Sequence, residues 1–62
     1  MFTYSIDFEL LDSHGDVIKS ENVIVAVSDA SSDSIGKAIK RFISNKYPGT
    51  DYGFNVVRQR RI

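Results

Sequence analysis

Phe2-Thr3-Tyr4-Ser5-Ile6-Asp7-Phe8-Glu9-Leu10 alternates apolar and polar residues without a slip. Successive side chains of a strand point to opposite faces, so Phe2, Tyr4, Ile6, Phe8 and Leu10 share one side and Thr3, Ser5, Asp7 and Glu9 the other. This stretch predicts a strand with one buried and one wet face, and the remaining elements arrange themselves around it. Asp12-Ser13-His14-Gly15-Asp16 supplies turn formers. A second strand is expected from about Val17 to Val27, polar in its first half and β-branched and apolar from Val23 onward. The two strands form an antiparallel hairpin.

Ser28 to Ser34 is rich in Ser and Asp, residues that compete for backbone donors and start helices. Ser31 or Ser32 is the expected N-cap, with Asp33 at the positive end of the helix dipole. Ile35, Ala38, Ile39, Phe42 and Ile43 follow at helical spacing, so a helix is predicted from about Ser32 to Tyr47. Lys37, Lys40, Arg41 and Lys46 fall outside that stripe. Gly36 weakens the helix or permits close packing on the sheet. Pro48 stops it, because proline disfavours a helical residue before it. Tyr52 to Arg61 is the last strand, with Phe54 and Val56 in one phase and Val57 in the other. The expected fold is a single α+β domain over residues 1–62, ordered ββαβ. Its sheet is three-stranded and mainly antiparallel, with spatial order 2-1-3 and one helix on the apolar face. Phe2 or Tyr4, Ile6, Phe8, Val25, Ile39, Phe42 and Phe54 are the expected core.

The 62 residues suffice for one small domain with a marginal core. Without cysteines, neither disulfides nor thiolate metal sites are available. At 42% hydrophobic residues the chain is too apolar for disorder. Val23 to Val27, the longest apolar run, is far short of a membrane span. No signal-peptide pattern follows Met1, so a soluble cytoplasmic protein is expected. A formal net charge of zero conceals a division. Seven acids and one base precede Ser34, whereas seven bases and one acid follow from there. The fold decides whether that division polarises the molecule or cancels across its surface.

Few residues suggest chemistry. Asp12, His14 and Asp16 alternate like metal ligands, but no longer series ending in a bidentate Glu follows, and His14 reads as a turn residue. Asp7 and Glu9 share a face about 7 Å apart by strand rise, a spacing typical of a solubilising face or an edge guard. No nucleophile–histidine–acid set, acid pair in a cleft or phosphate loop stands out. An enzyme, a metal or a cofactor is therefore not expected. Lys37, Lys40, Arg41 and Lys46 form a basic helix face that would suit nucleic acid, or simply solvent. Arg58 and Arg60 continue the phase of Phe54 and Val56, so a regular strand points them to the helix-facing side beyond the core. Two planar forks on a stiff strand suit recognition of carboxylates, either a partner's or those of the neighbouring strand.

The order ββαβ, closed by Gly53-Phe54-x-Val56-x-Arg58-x-Arg60, resembles the small RNA polymerase inhibitors of T-odd coliphages. Tyr47 and Pro48 match that family's aromatic and proline exit from the helix. The resemblance implies a host-takeover protein that docks on the jaw of the RNA polymerase β′ subunit, within the DNA channel, and blocks transcription initiation. It implies partner contacts by Arg58 and Arg60, with Arg61 beside them and Asp12 as the counterpart of an acidic residue near the first hairpin. This helix departs from the family's, being longer and basic rather than short and acidic. A nucleic-acid-binding protein using the helix, or a phage accessory protein with another host target, are the alternative expectations.

Overall fold

The alternating stretch becomes the central strand. The computed structural model describes residues 1–62 and contains β1 (Phe2–Leu11), β2 (Val17–Val27), α1 (Ser32–Lys46) and β3 (Gly53–Arg61). The sheet order is β2-β1-β3, and β1 is antiparallel to both neighbours. The ββαβ architecture is as expected. No helix is long and apolar enough to cross a membrane.

The hairpin turn is organised by Asp12, whose Oδ1 accepts the backbone N–H groups of His14 at 2.8 Å and Asp16 at 3.0 Å. Gly15 has φ +85°, a left-handed conformation that a residue with a Cβ adopts only under strain. Helix α1 begins at Ser31, whose Oγ accepts the Ser34 N–H at 3.2 Å. Asp29 braces this cap, taking the Ser31 N–H and the Ser34 hydroxyl, each at 2.9 Å. The nearby Ser31 side chain, followed by these bonds from the Ser31 N–H and the Ser34 hydroxyl, holds the Asp29 carboxyl below the usual range. The helix ends at Lys46, one residue short of the expected Tyr47, which is its C-cap, and Gly49 then turns the chain with φ +80°.

The core lies between one sheet face and α1. Ile6, Phe8 and Leu10 from β1 meet Val23 from β2 and Ile35, Ile39 and Ile43 from the helix, with Val27 buried at the end of β2. The expected core needs correction at its margins. Tyr4, Val25, Phe42 and Phe54 are only partly buried and pack around this cluster, whereas Leu10, Val23, Ile35 and Ile43 lie within it and Val27 is buried outside it. One helix on three strands covers the middle of the sheet, so large rings at its rim keep one edge in water. Phe8 is the hub. Its ring meets Phe42 and Phe54 edge-on, with centroids 6.1 and 6.5 Å apart.

Candidate functional site: an arginine pair on the open face of the sheet

The register of β3 on β1 decides where the terminal arginines point. Leu10 faces Phe54 and Phe8 faces Val56, but the next partner of β1, Asp7, faces Arg58. Val57 is therefore an extra residue, a β-bulge that reverses the phase of everything after it. Gln59 and Arg61 now face Ile6 and Tyr4 on the helix side, while Arg58 and Arg60 face Asp7 and Ser5 on the open side. This corrects the expected placement of Arg58 and Arg60 on the helix-facing side. Uninterrupted alternation would have put them there, and a single unpaired residue cancels it.

On the open face, Ser5, Asp7, Arg58 and Arg60 line a small polar depression. Asp7 sits across from Arg58, yet its carboxylate is held from the other flank. Asn22 Nδ2 donates to Asp7 Oδ1 at 2.7 Å and to Ser5 Oγ at 3.0 Å. Glu9 likewise accepts from Asn55 at 3.2 Å rather than from an arginine. The ion pairs of the chain all belong to Glu21, so neither Arg58 nor Arg60 has a carboxylate partner within the domain. Both side chains are exposed. Two unpaired guanidinium forks, two residues apart on one strand face, can each take a carboxylate or phosphate through paired charge-assisted hydrogen bonds.

The other expected site residues do not join them. Arg61 lies on the opposite face with its guanidinium 4.7 Å from the Phe2 ring centroid, a cation–π contact. Asp12 sits in the hairpin turn, five residues along β1 from the Asp7–Arg58 pair and therefore about 17 Å away by strand rise. Its Oδ1 is engaged in the turn. His14 is exposed there, and no group of three or more His, Asp or Glu side chains converges anywhere as a metal site would require.

The basic helix face is less uniform than its sequence suggests. Lys37, Lys40 and Arg41 are exposed. Lys46 instead donates to Glu21 Oε1 at 2.7 Å, while the Tyr47 hydroxyl donates to Oε2 at 2.7 Å. Lys19 approaches the same carboxylate at 4.0 Å. The Lys46 hydrogen bond, followed by that of Tyr47, holds the Glu21 carboxyl below its usual range, and Glu21 in turn raises Lys46. Sequence reasoning missed this cluster, although a signal existed. Glu21 continues the phase of Val27, Val25 and Val23 onto the helix side, where a carboxylate needs a partner.

No protein-family model matches the chain, and no curated protein or solved structure matches it. The arginine pair is exposed and carried on the open face of a β-strand.

Proposed function

We propose that this is a non-catalytic protein-binding inhibitor that docks through Arg58 and Arg60 on an acidic surface of bacterial RNA polymerase. The β′ subunit, at its jaw within the DNA channel, is the target, and blocked transcription initiation is the outcome. The protein then works in the cytoplasm of a phage-infected cell. The observation that carries the docking reading is the arginine pair itself, presented together on the open face with no carboxylate of the domain to satisfy it. The polymerase as partner rests on the resemblance of Gly53-Phe54-x-Val56-x-Arg58-x-Arg60 to the T-odd coliphage inhibitors. Guanidinium–carboxylate pairs that become desolvated on docking typically cost 2–5 kcal/mol when one partner is removed, so two such pairs dominate a small interface.

The test uses purified bacterial RNA polymerase holoenzyme and promoter DNA. Arg58→Glu with Arg60→Glu should abolish polymerase binding and restore open-complex formation while the melting temperature stays near that of the wild type. Lys40→Glu with Arg41→Glu on α1 is the control and should retain binding. Loss of binding in the helix variant alone would move the site to α1. A wild-type protein that ignores polymerase but binds DNA through α1 would replace this reading with a nucleic-acid one.

A further inference from the structure

The two edges of the sheet are not equally protected. Along β3 the edge carries the Val57 bulge and Arg58, Arg60 and Arg61, features that blunt strand addition. Along β2, Asn22 to Ser28 offers seven consecutive residues with no charge, no proline and no bulge, five of them apolar. Ile24 stands on the open face at 63% exposure. On the helix side, Val23, Val25, Ala38 and Phe42 line an apolar groove between β2 and α1, with Arg41 and Asn45 at its rim. An edge with these features is a template for a further strand.

We propose that the added strand is β2 of a second copy, joined antiparallel across a two-fold axis at Ile24 to give a continuous six-stranded sheet. A two-fold pairing sets one residue opposite itself, and charge selects which. Centring on Ile24 places Asn22 opposite Ala26, Val23 opposite Val25, and Lys19 of each copy opposite Asp29 of the other. Centring on Val25 instead would oppose Glu21 and Asp29, two acids. The Ile24 register covers the most exposed apolar side chain of the edge with its own equivalent. It also brings the apolar side chains of each β2 beside the other copy's groove. Lys19 is held only by a 4.0 Å ion pair to Glu21, whose carboxylate Lys46 already engages at 2.7 Å, and by a 5.8 Å approach to the Tyr47 ring, so it can turn to Asp29, which uses only Oδ1 in the cap. Both β3 strands remain at the outer edges, so the dimer presents two arginine pairs and does not depend on what they bind.

The chain has no cysteine, so single introduced thiols report the register cleanly. Directly opposed residues bring their Cβ atoms about 4.5–5.5 Å apart, within reach of a disulfide after slight adjustment. On mild oxidation, Ile24→Cys should become a covalent dimer about tenfold faster than Val57→Cys, an equally exposed control on the other edge strand. In sedimentation equilibrium the wild type should associate to twice the chain mass. Ile24→Lys, which sets two like charges on the axis at a solvent-exposed position, should remain monomeric and melt at a temperature independent of protein concentration, whereas the wild type's melting temperature should rise with concentration. A wild type that stays monomeric at millimolar concentration overturns the proposal. So does a dimer indifferent to Ile24→Lys, or equal crosslinking of Ile24→Cys and Val57→Cys.

Discussion

Phe8 is the residue on which the core turns. It is 1% exposed, pairs with Glu21 and Val56 across two strands and meets the rings of Phe42 and Phe54. Truncation to Ala leaves a cavity between sheet and helix and should cost about 3–5 kcal/mol, comparable with the whole stability of so small a domain. Urea unfolding of Phe8→Ala tests this, and a midpoint equal to the wild type would contradict the assigned face. Gly36 behaves oppositely. A Cβ built there meets Phe54 Cζ at 3.8 Å, ordinary van der Waals contact, so glycine is not required for packing. Gly36→Ala should therefore stabilise the protein by about 0.5–1 kcal/mol through helix propensity and a less flexible unfolded chain. A lower urea midpoint would show that Phe54 cannot accommodate even a methyl group.

At the scale of the element, β3 is two half-strands of opposite phase joined at Val57. The first half, through Phe54 and Val56, packs with the helix; the second presents Arg58 and Arg60 on the open face. Deleting Val57 should therefore leave the arginines where they are, since Val56 would still oppose Phe8 and Arg58 would still oppose Asp7. What the deletion removes is the local twist and bend. The expected NMR signature is retention of contacts between Arg60 and Ser5 in the shortened chain. Their replacement by contacts to Tyr4 or Ile6 would mean that β3 had slipped rather than closed up.

For the molecule as a whole, the division of charge along the sequence becomes only a partial division in space. The sheet register carries Asp12, Asp16 and Asp51 to the hairpin end and the terminal arginines towards the other end of a body 33 Å long. Asp29 and Asp33, at the start of α1, dilute the basic end. Glu21 ties β2 to the last turn of α1, and its pH linkage has a definite sign. A carboxyl held below its usual range adds stability above that range and loses it as acid protonates it, and Asp29 acts in the same direction. Lys46, raised by Glu21, gives up its share only in alkali. The melting temperature should thus fall from the ordinary carboxylate range downward, and Glu21→Gln should flatten that fall. Parallel wild-type and Glu21→Gln profiles would remove Glu21 from the acid response.

Much of this was legible in the amino-acid order because it rests on local periodicity. The clean alternation of Phe2 to Leu10 identifies the central strand, and Ser31, Asp33 and the spacing of Ile35, Ile39 and Ile43 define the helix and its buried stripe. Turn chemistry at Asp12 to Asp16 is equally local. Three features were decided only in the folded chain. A bulge is a mismatch between two strands, and nothing in Val56-Val57-Arg58 alone marks one residue as unpaired. Nor could β2 reveal that Glu21 would lie against Lys46 and Tyr47, because those groups arrive from 25 and 26 residues away. The freedom of Arg58 and Arg60 was likewise undetermined until Asn22 and Asn55 were seen to engage Asp7 and Glu9. Period and composition set what each segment becomes, whereas pairing between segments sets which side chains are left for a partner.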